Sequence, residues 1–381
     1  MSEPVNGFEF LEQLRQRSEN RNLKYKDYSR FLEHKARQKK IPFSGQFELS
    51  PLCNLDCGMC YVHLNPEQLQ GHSVLSVKAW KDLMHQAWEA GMMQAALTGG
   101  ECLMYPGFEE LFLYLHSLGC EVAVLTNGVL LDEKRIHFFT EHKPIRIQVT
   151  LYGQNDDVYE RVTGKRIFKT VDTNIRNAVA AGLPIMIAVT PSAFLGEDVL
   201  DLLQFARGYG KQVAVSYSVF SPREETGRSA RKDDLPMDLN IRIGRLLNTI
   251  HGIETREIEA DRLPPYGSSR HECTECGLQC SGGQSSFVID WKGTLQPCTR
   301  LSVIRADALQ QGFRAAWDQV SREACSWPRV PECEGCAYHD VCYNCAAVML
   351  QFAEPGKQPI ELCEQTRYYV QHGIRRIPDC D

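Results

Sequence analysis

From residue 46 to about residue 225, short apolar runs alternate with longer stretches in which apolar residues return at helical spacing. Six runs have the length and β-branched content of buried strands: 46–50, 95–98, 121–125, 146–151, 185–189 and 212–217. Between the first two, Val77, Trp80, Leu83, Met84, Ala87 and Trp88 recur on one helical face. Ser76 stands as the N-cap of that helix and Gly91 as its C-cap. Similar helical stretches follow Pro106, Asp132, Thr170 and Gly196. Six successive β/α units predict an α/β fold with a parallel sheet and right-handed crossovers. Eight would close a barrel, so a partial barrel and a doubly wound sheet both remain open. Either one puts chemistry at the C-terminal ends of the strands.

The rhythm changes on both flanks. Residues 1–45 carry Phe8, Phe10, Leu11, Leu14, Tyr25, Tyr28, Phe31 and Leu32 among many charges, which reads as one or two amphipathic helices. Residues 229–265 read as a helical bridge. The alternation over 287–295, with a turn at Lys292-Gly293, reads as a β-hairpin. The expected division is therefore 1–45, a core unit at 46–228, the bridge at 229–265 and a last unit at 266–381.

Composition narrows the classes. The chain is 43% apolar and 24% charged, enough for a sizeable core. Lys and Arg number 42 against 48 Asp and Glu, a net charge of −6, which argues against a nucleic-acid partner held by bulk charge. The N-terminus lacks a basic region followed by an apolar one, and no run of about 18 apolar residues occurs, so a cytoplasmic location without a membrane partner is expected. Against that background stand 16 cysteines. Disulfides are scarce in the cytosol, where clustered thiols bind metal or do redox chemistry. The thiols also segregate: Cys53, Cys57 and Cys60 form one group, ten fall between Cys273 and Cys363, and 121–272 has none.

The first group has the spacing C-x3-C-x2-C just after the first strand. Three thiolates on one loop can hold three irons of a [4Fe–4S] cluster and leave the fourth iron open. The alternative is a zinc site completed by His63 or His72. After the second strand comes Gly99-Gly100-Glu101-Cys102. Two glycines permit close backbone approach, and the carboxylate suits an ammonium group. The third strand ends in Thr126-Asn127-Gly128.

Together these motifs resemble the radical S-adenosylmethionine (SAM) superfamily. The resemblance implies that the open iron takes the amino and carboxylate groups of SAM, with Gly99, Gly100 and Glu101 at the amino group. It makes Thr126, Asn127 and Thr150 candidates for lining the SAM or substrate pocket, and Met59 for packing on the adenine. Met59 stands where the family usually has an aromatic, and Cys102 where it often has proline.

The C-terminal cysteines resemble the SPASM extension of that superfamily, which carries two auxiliary [4Fe–4S] clusters. The pattern is Cys273-x2-Cys276-x3-Cys280, Gly293-x4-Cys298, Cys333-x2-Cys336-x5-Cys342-x2-Cys345 and a final Cys363. The last internal spacing is one residue shorter than in the family. The implied pairing gives one cluster Cys280, Cys298, Cys345 and either Cys276, which is preferred, or Cys273. The other cluster takes Cys333, Cys336, Cys342 and Cys363. A double zinc ribbon is the alternative. The implied fold is a partial (β/α)6 barrel followed by a small-stranded, cysteine-rich iron–sulfur domain.

The resemblance implies reductive cleavage of SAM to a 5′-deoxyadenosyl radical, with a flavodoxin or ferredoxin as electron donor, and hydrogen abstraction from a peptide substrate. Crosslinking, epimerisation or oxidation would follow. The alternatives are oxidation of a small molecule, a sulfatase-type maturase, and, from another class, a zinc-binding adaptor. Sulfatase maturases place an Asp directly after the position of Cys298, where this chain has Thr299 and Arg300. Cys102 is a candidate hydrogen-atom donor should the reaction be an epimerisation.

Overall fold

The computed structural model describes residues 25–69, 73–216, 235–259, 263 and 277–375. Cys273, Cys276, His72 and most of the N-terminal amphipathic segment lie outside the described residues. Helix α1 (Tyr25–Lys39) leads into β1 (Ser44–Glu48). Five β/α steps follow: α2 (Val77–Glu89) and β2 (Gln94–Thr98), α3 (Phe108–Ser117) and β3 (Glu121–Thr126), α4 (Glu133–Glu141) and β4 (Arg146–Thr150), the pair α5 (Asp156–Thr163) and α6 (Phe168–Ala180) before β5 (Ile185–Val189), and α7 (Asp198–Arg207) before β6 (Val213–Val215). Each expected strand is present, its ends moved by two residues at most.

The local signals act as their chemistry dictates. The Ser76 side chain accepts from the Ala79 N–H, and Trp80, Leu83, Met84 and Ala87 are buried on one face of α2, while Trp88 is exposed. Gly91, just past the helix, has φ +115°, a value costly for any residue with a Cβ. Helix α5 is an addition to the expected elements. Asn155 caps it by accepting from Val158 N–H, Asp156 and Asp157 occupy its first turn, and Gly164 ends it at φ 70°.

Strands β1 to β6 are parallel and stand in sequential order, β6-β5-β4-β3-β2-β1. No reversal of order interrupts them, so the sheet has the progression of a barrel and not the switch point of a doubly wound fold. The C-terminal part contains α8 (Met237–Ile250) where a helical bridge was expected, then β7 (Ser286–Ile289), β8 (Thr294–Gln296), β9 (Ala306–Asp307), α9 (Ala308–Gln311), α10 (Phe313–Cys325), α11 (Ala346–Met349) and α12 (Ile360–Gln371). The hairpin β7–β8 turns where the sequence predicts. Asp290 accepts from the N–H groups of Lys292 and Thr294, both at 2.9 Å, and Gly293 has φ 88°.

β7 pairs in parallel with β1, Ser44 opposite Ser286 and Phe47 opposite Ile289. The sheet therefore runs unbroken across the expected boundary at 266. An open barrel leaves β1 with an unpaired edge, and β7 covers it. The core is shared as well. Phe47 meets Trp80 and Phe287 edge-on, each at 6.0 Å between ring centroids, and Phe287 meets Phe313 at 4.9 Å. No described helix is long and apolar enough to cross a membrane.

Candidate functional site

The sequence-selected motifs converge at the C-terminal ends of β1, β2, β3 and β4. After β2, the N–H groups of Gly100 and Glu101 bond to the carbonyls of Ser50 and Leu52, at 2.8 and 2.9 Å, just ahead of Cys53. A Cβ on Gly99 would stand 2.4 Å from Ser50 O, and one on Gly100 2.3 Å from Leu52 O. The close approach that these glycines permit is thus to the cysteine loop itself.

Glu101 is fully buried. Its Oε1 accepts from Leu103 N–H (3.0 Å) and Thr126 Oγ1 (2.8 Å), and its Oε2 from Asn127 N–H (2.7 Å). Burial pushes its pKa up, against the pull of those donors. The side-chain amide of Asn127 donates to Asn54 Oδ1 at 2.7 Å and lies 3.5 Å from Cys53 Sγ. Glu101 and Asn127 so tie the tips of β2 and β3 to the three-cysteine loop. Thr150, the last residue of β4, is half-buried, as is Tyr152 beyond it.

The loop is pinned from its other side too. Asp56 N–H bonds to Thr163 O and Gly58 N–H to Val162 O, both at 3.0 Å, so α5 fixes its course. Cys57 and Met59 are buried, Cys53 and Cys60 partly so. Burial raises the Cys53 thiol to about 12, the Leu55 N–H opposes it, and charge on Glu101 and Cys60 adds to the rise. Cys57 is raised well above the ordinary thiol range by burial, then by Cys60 and Cys53, with the Tyr152 hydroxyl acting against them. The Leu55 N–H lies 3.4 Å from Cys53 Sγ, and the His63 N–H 3.3 Å from Cys60 Sγ. Three thiols that repel as anions, each approached by a donor, suit a shared cationic centre.

The later thiols gather into two further sets. Cys298 is raised by burial first, then by Cys280 and Cys345. Cys333 is raised to about 12 by burial, then by Cys363, Cys342 and Cys336. Cys280 and Cys298 flank the open end of the β7–β8 hairpin. A cavity of about 330 Å³ has Cys280 and Cys345 of one set and Cys333 and Cys342 of the other among its walls. Among the described residues, no three His, Cys, Asp or Glu side chains converge on one point as ligands of a single ion.

The sequence profile of the Radical SAM superfamily matches residues 47–207, from β1 through α7. Residues 47–207 are thus a radical SAM domain. It is 25% identical over 260 residues to the antilisterial bacteriocin subtilosin biosynthesis protein AlbA of Bacillus subtilis (strain 168), a match covering 68% of this chain and 55% of AlbA. It is 26% identical over 333 residues to the AdoMet-dependent heme synthase of Methanosarcina barkeri (strain Fusaro / DSM 804), covering 79% of this chain and 90% of the synthase. In fold it is similar to Streptococcus suis SuiB bound to S-adenosylmethionine, with a TM-score of 0.66 at 18% identity, over 94% of this chain and 87% of SuiB. The chain thus matches little more than half of AlbA's length. The match includes the Cys53–Cys60 loop, which weighs against the zinc-adaptor reading.

Within this radical SAM domain, two placements add to the sequence reading. Glu101 accepts from Leu103, Thr126 and Asn127, which ties β3 to the tip of β2. Cys102 has no exposed surface, and its thiol lies 3.2 Å from Leu125 O. Burial and the neighbouring Glu101 push that thiol's pKa well up. This geometry suits a small core residue and does not present Cys102 to a substrate. Tyr152, Asn54, Thr366 and Arg375 were not singled out by sequence. Burial raises the pKa of the Cys342 thiol, and the Thr366 hydroxyl, 3.5 Å from its Sγ, and the Arg375 charge pull against that rise. No motif marks these residues, because their neighbours come from distant segments.

Proposed function

We propose that Cys53, Cys57 and Cys60 hold a [4Fe–4S] cluster whose fourth iron takes SAM, and that the chain modifies a peptide. The observation that carries the reading is the convergence on one loop of three thiols, of which Cys53 and Cys57 are raised by burial and by their neighbours' charge, an amide donor from Asn127 and the Gly99-Gly100-Glu101 segment. When bound, the cluster and SAM supply a primary carbon radical that abstracts hydrogen from an unactivated C–H bond.

The chain's own residues supply position and a dry site. Gly99 and Gly100 bring the β2 tip onto the cysteine loop, and Glu101 locks β3 to β2. Asn127 and Tyr152 donate to Cys53 and Cys57, which favours the thiolate form of both. Met59, buried beside the loop, offers a polarizable surface for the adenine. Thr126 fixes Glu101, and Thr150 sits at the mouth where a substrate would enter. A reactive radical attacks whatever is nearest, so this rigidity serves selectivity.

Cys280, Cys298 and Cys345, with Cys276 or Cys273, are assigned to one auxiliary [4Fe–4S] cluster. Cys333, Cys336, Cys342 and Cys363 are assigned to a second, making three in all. The donor set suits both, since four thiols close a cluster. A flavodoxin or ferredoxin in the cytoplasm is assigned as electron donor. The peptide reading draws support from AlbA, a bacteriocin biosynthesis protein, and from the fold shared with SuiB, solved with its precursor peptide SuiA. The match to a heme synthase over most of both chains favours a second reading, oxidation of a small molecule. Co-expression with short peptides encoded beside the gene, followed by mass spectrometry, separates the two. The peptide reading expects a loss of two hydrogens, or an inverted residue at constant mass. Unmodified peptide in cells that contain a SAM-cleaving enzyme would turn the assignment to the small molecule.

A further inference from the structure

Gln284 is 2% exposed and stands just ahead of β7. Its amide nitrogen donates to Leu278 O and Cys280 O, both at 2.7 Å. Its Oε1 accepts from Lys40 Nζ at 2.9 Å and from Arg37 Nε at 3.4 Å. Arg37 Nη2 donates to Gln279 O at 2.8 Å. One amide therefore spans the loop that carries Cys280, and two cations from the end of α1 hold the amide in place. Its orientation is dictated, because the oxygen must face the cations and the nitrogen the two carbonyls.

The α1 end is itself fixed. Lys40 has φ 55°, the one positive value among the described residues other than glycine. Such a backbone persists where its surroundings over-determine it. Here the Lys40 carbonyl accepts from Trp317 Nε1 at 2.8 Å, and the N–H groups of Phe43 and Ser44 bond to Ser285 O, both at 2.9 Å. The 40–44 connector is thus bonded at one end to Trp317 and at the other to Ser285, the residue after Gln284.

We propose that Gln284 is a positioning residue for the auxiliary cluster site of Cys280, Cys298 and Cys345, held in register by Arg37 and Lys40. The proposal rests on the assignment of that cluster. It gives the end of α1 a task beyond packing: it sets the course of a ligand loop far away in sequence. Charge-assisted bonds to the amide oxygen polarise the amide and strengthen its donation to the Cys280 carbonyl. Loss of a residue that orients ligands in this way costs about 10–100-fold in metal affinity or activity.

The test uses the full chain, reconstituted anaerobically, with iron per chain and the EPR spectrum of the reduced protein as readouts. Gln284→Glu keeps the acceptor for Lys40 and removes the donor to Leu278 and Cys280. It is expected to lose about four irons of about twelve, or to shift one auxiliary signal, while the SAM-induced change in the signal of the Cys53 loop persists. Cys280→Ala is the reference and loses the same four irons. Full iron and an unaltered spectrum in Gln284→Glu, beside that loss in Cys280→Ala, overturns the positioning role. Full iron in Cys280→Ala overturns the ligand set, and the positioning role with it. Should Gln284→Glu fail to fold by circular dichroism, Lys40→Met decides. A shifted auxiliary signal supports the role, and an unchanged one overturns it.

Discussion

The side-chain amide of Asn127 donates to Asn54 Oδ1 at 2.7 Å, joining the end of β3 to the loop between Cys53 and Cys57. The backbone N–H of the same residue bonds to Glu101 at 2.7 Å. One asparagine thus links all three sequence motifs. Asn127→Ala keeps the backbone bond and removes the amide. The expected outcome is a fall of about 10–100-fold in the rate of 5′-deoxyadenosine release, the range for loss of a partner behind a metal ligand, with iron content retained. Chromatography of the nucleoside product and iron counting check it.

Gly100 tolerates no side chain. A Cβ there would stand 2.3 Å from Leu52 O, a backbone atom that cannot swing aside. Gly100→Ala is expected to destabilise the chain by about 1–3 kcal/mol and to displace the cysteine loop. Thermal unfolding gives the first effect, and a weaker absorbance of the reconstituted cluster the second.

Buried Glu101 should leave a mark on the pH dependence of stability. Its pKa in the folded chain is raised above the ordinary 4.5, so the folded state holds that proton more tightly than the unfolded state does. Its contribution to stability is present in full below 4.5 and declines as pH rises through the raised value. Urea unfolding of wild type and Glu101→Gln across this range tests the sign. The difference between the two should fall with rising pH. At neutral pH the variant should still be weaker by about 1–3 kcal/mol, because the amide N–H₂ faces donors.

Cys102 should prove dispensable for the chemistry. Its thiol is fully buried against Leu125 O. Cys102→Ala is expected to cost about 1 kcal/mol, the scale of a small cavity, and to keep product formation within a few-fold of wild type. Product abolished with SAM cleavage intact would restore it as a hydrogen-atom donor.

Much of this was legible in sequence because it is local. Strand lengths, the Ser76 cap, the Lys292-Gly293 turn and the cysteine spacings each depend on a few neighbouring residues. The pairing of β7 with β1 is different. Ser44 and Ser286 are distant in sequence, and no period marks one strand for the other. The roles of Tyr152, Thr366 and Gln284 arise likewise from side chains brought together by tertiary packing. Glu101 was read by chemistry as a ligand group. The structure adds donors from Leu103, Thr126 and Asn127, two of them on another strand's end and so invisible to the local motif. Helix α5 carried its signal in Asn155, Asp156, Asp157 and Gly164, but it is short and lies close before α6.

The central claim is that Cys53, Cys57 and Cys60 together form the SAM-cleaving centre. Liquid chromatography with mass detection of 5′-deoxyadenosine, from anaerobically reconstituted and reduced chain given SAM, tests it most directly. The expected result is product with wild type and none with Cys57→Ala, while Cys57→Ala retains about eight of about twelve irons in the auxiliary clusters. Equal 5′-deoxyadenosine from wild type and Cys57→Ala would contradict the claim.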